Sequence, residues 1–320
     1  MVIFMTVFVL GCTGNGDSVS GASDVGVVVT EFMFDTPAVY HNEDINLRLV
    51  LENQGQKQVT DDTFVFIYGQ TISTNDKHWS VVENSLSLEP KTTASDMSSI
   101  TLEGAWKIPN DEFLPPQPDM GMPGGVATFD VTLTAPELEE GESTPYTFYT
   151  RVCYPYKTSM LSTITSSSKE EMRIQQSSSA VENVNTAGPI HINLGGQASI
   201  VARGSTIPVV FKITDVGGGF STTTDIVCES TPDSMDRNKV NISIEVEGIV
   251  LDGTSHELYG DTITTDCTKV VKLVNGQAEM RCSIPIDRNQ PTREYHIRAI
   301  AEYKYYVSSD TKITVDYISE

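Results

Sequence analysis

Apolar and polar residues alternate with a period of two along most of this chain. The pattern is clear in Ile45 to Leu51, Thr63 to Tyr68, Ala127 to Leu133 and Asn241 to Glu247, each rich in Val, Ile, Thr, Tyr or Phe. Gly, Pro, Asn and Asp break the runs, as turn residues between short strands do. One apolar and one polar face per run predicts half-buried antiparallel strands. Helical periodicity is confined to Lys169 to Gln176, which Ser168 and Glu171 open as a capping box. With the polar stretch Ser177 to Gly188 behind it, this short helix reads as a linker over 166–187. An all-β sandwich is expected on each side, over 25–165 and 188–320.

An internal repeat supports the division. The twenty residues from Tyr146 align without gaps with those from Tyr295, at an offset of 149 residues. Tyr146, Phe148, Tyr154 and Tyr156 meet Tyr295, Ile297, Tyr303 and Tyr305. Earlier in each half, at an offset of 162, Ile45, Leu47, Leu49, Leu51, Asn53 and Gly55 meet Ile207, Val209, Phe211, Ile213, Asp215 and Gly217. Two matches in the same order describe two copies of one β-domain. Tyr146 and Tyr295 each follow a polar corner. That position fits either a tyrosine corner, whose phenol bonds back to the preceding turn, or an ordinary strand tyrosine.

The run LRLVLENQG, after PAVYHNEDIN, resembles the CARDB-type immunoglobulin-like adhesion modules of archaeal and bacterial surface proteins. The second half carries a degenerate form, VVFKITDVGG, and VCYPYKT is similar to a run in archaeal surface proteins that begin like lipoproteins. The resemblance implies two tandem immunoglobulin-like antiparallel β-sandwiches joined by the linker with its short helix. It also implies a location at the cell surface. It carries no catalytic residue with it.

The chain opens MVIFMTVFVLGC, followed by a Gly/Ser/Thr/Asn/Asp tether to residue 24. About ten apolar residues are too few for a membrane-spanning helix, which needs ~20. Val9-Leu10-Gly11-Cys12 reads as a lipobox, with Cys12 the lipidated first residue of the mature chain. No Lys or Arg precedes Arg48, so a signal peptide would need its basic start upstream of Met1. The other reading is a buried strand ending in Gly-Cys. The lipoprotein reading places the rest of the chain on the extracellular face of the membrane.

Charge narrows the partners. Asp and Glu number 43 against 21 Lys and Arg, a net charge of −22. Residues 188–320 hold 18 acidic and 12 basic groups and residues 1–187 hold 25 and 9, so the first half carries most of the excess. Nucleic acid, whose binding rests on neutralised phosphates, is not an expected partner, nor are anionic headgroups. The acids are scattered rather than spaced like an EF-hand loop. Glu137 to Glu142 reads as a solvated turn, with a loose Ca²⁺ site as the other reading.

Outside the cell, the remaining cysteines are expected to oxidise. Alternation puts Cys153 on the opposite face from Tyr146, Phe148, Val152 and Tyr154. Cys267 and Cys282 flank Asn275-Gly276, a strong hairpin signal. Folding there makes them diagonal neighbours, which favours Cys267–Cys282. Cys153 and Cys228 are then either free or joined between the domains.

Catalytic, metal and cofactor motifs are not found. His41, His78, His191, His256 and His296 form no metal-ligand pair. There is no G-x-S-x-G elbow and no phosphate-binding glycine loop. Asn241-Ile-Ser243 is a glycosylation sequon. Glu103 to Gly125 is long, proline-rich and apolar, with Trp106, Phe113, Leu114, Met120 and Met122 either forming a partner-binding loop or plugging the open end of the sandwich. The expected function is a non-enzymatic, lipid-anchored surface protein that presents two immunoglobulin-like domains to a protein or glycan partner. The alternative is a structural subunit of an envelope layer or filament, self-associating through strand edges.

Overall fold

A computed structural model describes residues 25–59, 63–70, 78–82, 106–107, 113–167, 181–196, 198–201, 205–228, 232–259, 261–287 and 292–319. The described residues are nearly all β. The first half contributes β1 (Val27–Phe34), β2 (Ala38–Tyr40), β3 (Asp44–Asn53), β4 (Phe64–Tyr68), β5 (Ser80–Val81), β6 (Trp106–Lys107), β7 (Val126–Thr134) and β8 (Ser143–Ser167). The second contributes β9 (Asn183–Asn185), β10 (Ile190–Gly195), β11 (Ser199–Val201), β12 (Thr206–Asp215), β13 (Phe220–Thr222) and β14 (Lys239–Val246). It continues with β15 (Ile249–Val250), β16 (Asp252–Leu258), β17 (Asp261–Asp266), β18 (Lys269–Lys272), β19 (Gln277–Pro285) and β20 (Thr292–Asp316). The proposed helix at 169–176 lies outside the described residues.

Two 25-residue strands dominate the molecule. β8 and β20 pair antiparallel along their whole length, from Ser143 opposite Asp316 to Ser167 opposite Thr292. Around them an eleven-stranded sheet forms, with β4 on the far side of β8 and β14 on the far side of β20. Two smaller sheets, β1-β3-β7-β5 and β10-β12-β19, come one from each half. The first packs on the central sheet through Phe34, whose ring meets that of Phe148 edge-on at 5.1 Å. The second lies with β10 against β8 and β20. The result is a sandwich-like stack of antiparallel sheets whose interior is one continuous apolar cluster.

Alternation explains the strands. In β3, Ile45, Leu47, Leu49 and Leu51 are buried and their neighbours turn outward; β12 repeats this with Ile207, Val209, Phe211 and Ile213. In β14 the inward set is Val240, Ile242, Ile244 and Val246. Each period-2 run puts one face on the core and one toward water.

The repeat and the register meet at one residue pair. Pro155 and Lys304 are equivalent at the offset of 149, and they also face each other across the β8–β20 ladder. The two copies are thus related by a pseudo-twofold through that pair. It exchanges Tyr154 with Tyr303 and Tyr156 with Tyr305, while Tyr154 pairs with Tyr305 and Tyr156 with Tyr303. Short parallel strands obey the same symmetry: β2 joins the end of β20, and β11 joins the end of β8. A boundary at 166–187 therefore does not separate self-contained sheets. The last strand of the second half extends along the first, and the last strand of the first extends along the second.

Cys267 joins Cys282 and Cys153 joins Cys228, with Cα separations of 5.6 and 5.5 Å. The geometry around the first differs from the expected hairpin. At Asn275-Gly276 only Val274 and Gln277 bridge; β18 then pairs with β14, and β19 with β12. The turn is a corner between two sheets, because each flanking strand finds a longer partner elsewhere. The disulfide ties the chain ahead of β18 to β19.

Candidate functional site

The chain from Phe113 to Val126 folds as a hairpin on the end of the first sheet. Its base is fixed from within. Phe113 is fully buried, and its carbonyl accepts hydrogen bonds from Asn53 Nδ2 at 2.9 Å and Val59 N at 3.2 Å. Across the hairpin, Gly125 N donates to Leu114 O at 2.9 Å, and Gln117 and Met122 exchange backbone bonds of 2.9 and 3.1 Å. A 3₁₀ turn over Pro118–Met120 closes it, ended by Gly121 at φ 66°. Gly124 passes so close to Asn53 O that a Cβ would collide with it.

The hairpin holds its apolar side chains in two ways. Phe113 enters the core. Leu114, Met120 and Met122 are 48, 68 and 52% exposed, and Val126 at the start of β7 joins them. Three of the five residues picked out in the sequence thus point to solvent. Trp106 lies in β6, whose backbone pairs with Val65 of β4; its side chain lies outside the described residues.

The interior between the sheets is aromatic. Tyr154, Tyr156, Tyr303 and Tyr305 are buried around the pseudo-twofold. Tyr305 Oη donates to Asp215 Oδ1 at 2.6 Å and accepts from Gly219 N at 2.8 Å. Tyr156 Oη donates to Ala187 O at 3.0 Å. Burial pushes the Tyr156 phenol up to about 12, against backbone hydrogen bonds from the Gln56–Lys57 turn that favour the anion. Burial also raises the Asp215 carboxyl above its ordinary value, with hydrogen bonds from Tyr305 and Gly217 opposing it. These groups are packed ring on ring with small glycines around them and serve as structure.

The remaining sequence candidates are dispersed. Asn241 sits mid-strand in β14 and its Nδ2 donates to Thr224 Oγ1 at 2.9 Å, so the sequon nitrogen is occupied. Of the histidines, His41 stacks on Tyr317 at 4.9 Å, His256 contacts Thr254 and His296 contacts Thr163. Tyr295 Oη accepts from Asp287 N at 2.7 Å, the bond to a preceding turn that a tyrosine corner makes. Its counterpart Tyr146 packs edge-on to Trp79 at 5.5 Å. Among the described residues no group of three or more His, Cys, Asp or Glu could hold a metal ion. An acidic cleft of about 360 Å³ lies between Asp35, Tyr40, Glu43, Asp44 and Asp316.

One cluster was not read from the sequence. Cys153 and Cys228 lie with Phe64, Phe66, Phe220 and Tyr306 in a second apolar cluster, distinct from the main core. Arg151 and Arg237 lie against its Phe220 ring. Only the parity of Cys153 pointed toward this face. Phe220 and Arg237 sit in segments with little alternation to place them.

No protein-family model and no curated protein matches the chain. Among solved structures, it is similar to the Enterococcus faecalis MSCRAMM ACE, which binds its ligands by the collagen hug model. That likeness has 8% identity and a TM-score of 0.20, over 91% of this chain and 95% of that one. Red sea bream transglutaminase matches at 7% identity and a TM-score of 0.16, over 91% of this chain and 31% of that one. At these scores neither likeness carries an argument about function.

Proposed function

We propose that this is a non-enzymatic, extracellular surface protein, anchored by lipid at Cys12, whose two immunoglobulin-like halves, joined through a shared central sheet, present a binding hairpin to a protein or glycan partner. The observation that carries this reading is the hairpin itself. Leu114, Met120 and Met122 stand exposed on a loop whose base is fixed by Phe113, Asn53 and Gly124. Apolar residues held outward on a rigid base form a contact surface with little left to order on binding. Two disulfides support an oxidising compartment.

Assembly through strand edges is the weaker reading. β1 carries a bulge between Val29 and Glu31, which interrupts an edge ladder. On β10, the amides of Ile192 and Leu194 donate to the side chains of Asn185 and Asn183. Edges blunted in this way resist pairing with a further chain.

Intact mass of the membrane-extracted protein tests the anchor. A chain beginning at Cys12 with added lipid is expected, with a gain of four hydrogens on reduction; a chain retaining residues 1–11 without lipid overturns it. Cell adhesion with Met120→Ser and Met122→Ser combined tests the hairpin. Loss of adhesion at unchanged surface level is expected, and full adhesion would remove the hairpin from the reading.

A further inference from the structure

The pseudo-twofold through Pro155 and Lys304 gives each place in one half a counterpart in the other, and one such place is filled only once. In the second half β9 lies on the outer edge of β8, with Asn183, Val184 and Asn185 opposite Ser162, Leu161 and Met160. It closes the seam between β8 and β10: Asn185 Oδ1 accepts from Ile192 N at 3.0 Å, and Asn183 Oδ1 from Leu194 N at 2.8 Å. Met160 and Ser162 are buried there.

At the offset of 149 the counterparts of Met160, Leu161 and Ser162 are Ser309, Asp310 and Thr311 of β20. On the side of β20 away from β8, β13 ends opposite Tyr306 and β2 begins opposite Thr314. Among the described residues no strand ladders with that edge between Val307 and Ile313. Ser309 and Thr311 are only half-buried. Thr314 N donates to Pro37 O and His296 O accepts from Glu247 N, so even-numbered residues of β20 turn their backbone groups away from β8. Ser308, Asp310 and Lys312 therefore present N–H and C=O groups to the gap. β1 runs beside β20, as β10 runs beside β8 with β9 in place, but ladders with β3 alone.

We propose that this gap binds an extended strand of a partner protein that carries asparagines at alternate positions, as β9 does. Backbone groups in a regular row are what strand addition uses. The β20 register is unbroken here and the segment holds no proline, so, unlike bulged β1, it can carry a further ladder. β9 shows what the side chains must do, since its amides span to the amides of the facing sheet. In β1 the Gly26 carbonyl bonds Gln54 N, so Val29 turns its N–H away from β3 to meet such a side chain. The chain's own residues at an offset of 162 from β9 are Gly21-Ala22-Ser23, which have no side-chain amide for that reach. This site goes beyond the hairpin reading and shares no residue with it.

Fluorescence anisotropy of labelled VENVNTA, the sequence of residues 181–187, against the full chain in detergent tests the proposal. One control peptide has alanine for both asparagines, and another has proline for the central valine. Saturable binding of VENVNTA at submillimolar concentration is expected, at least tenfold tighter than either control. Asp310→Pro removes an amide that faces the gap and leaves β8 its bonds; it should weaken binding at least tenfold while both disulfides still form. Asp310→Ala, which keeps the amide, should not. Hydrogen exchange at Ser308, Asp310 and Lys312 should slow when the peptide is bound to the unmodified chain. No saturation at millimolar concentration overturns the proposal, as does equal affinity for either control. Unchanged binding in Asp310→Pro, or no slowing at the three amides, overturns it too. Binding that appears only after residues 13–24 are deleted also overturns it and gives the gap to the chain's own N-terminal segment. None of these outcomes bears on the anchor or hairpin tests.

Discussion

Glycine at position 55 shows how a single residue carries the logic of both halves. Asn53-x-Gly55 and Asp215-x-Gly217 both form turns in which the glycine N–H donates to the side chain two residues back, each at 3.1 Å. Neither glycine needs a left-handed backbone. A tyrosine crowds both: a Cβ on Gly55 would collide with Tyr156 Oη, and one on Gly217 would collide with Pro189 Cβ and lie 2.7 Å from Tyr305 Oη. Those two tyrosines are equivalent in the repeat, so the same contact occurs once in each copy. Gly55→Ala is therefore expected to destabilise the protein by about 1–3 kcal/mol through overpacking. Tyr156→Phe, which removes the colliding oxygen, should recover part of that loss in the double variant. Urea denaturation of the four proteins of this cycle measures the coupling, and strict additivity would show that the two sites do not touch.

Among elements, the two disulfides act on loops of different size. Cys153 and Cys228 are 75 residues apart, Cys267 and Cys282 only 15. By chain entropy, loss of the first bond should cost about 4 kcal/mol and loss of the second about 3 kcal/mol. Paired Cys→Ser variants compared by denaturant unfolding check the order, and a larger cost for the short loop would contradict it. The elements also show where the sequence was readable. β3, β7, β12 and β14 lie where alternation placed them, because each has one face on the core and a local pattern suffices. β4 is apolar on both faces, with Val65 and Ile67 in the main core and Phe64 and Phe66 in the second cluster. Partners were harder to read than strands. A tight Asn275-Gly276 turn is compatible with a hairpin or with a corner, and only the longer ladders available on β14 and β12 decide between them. The arginine–aromatic face was not legible, because its members come from β4, β8, the start of β13 and a loop at Arg237 and become neighbours only in three dimensions.

At the scale of the whole molecule, duplication appears as shared structure. A repeat in sequence predicts two similar units, but it does not say how they meet. Here they meet through their final strands, paired over 25 residues about Pro155 and Lys304, with four tyrosines buried at the centre. Tyr154 and Tyr305 have ring centroids 6.0 Å apart, and Tyr156 and Tyr303 6.2 Å, so the rings of the two halves meet at the centre of the molecule. Neither half can lose its last strand without exposing the core of its neighbour. Unfolding is therefore expected as one cooperative transition, with calorimetric and van't Hoff enthalpies equal. A perturbation confined to one half should be felt in the other: Leu49→Ala, deep in β3, should cost about 2–5 kcal/mol and lower the midpoint reported from β12 and β19 by as much as that from β1 and β7. Hydrogen exchange of the two sets of amides reads this directly. Two separate transitions, or a β12–β19 midpoint that does not move, would mean that the halves are independent units in contact rather than one structure built twice.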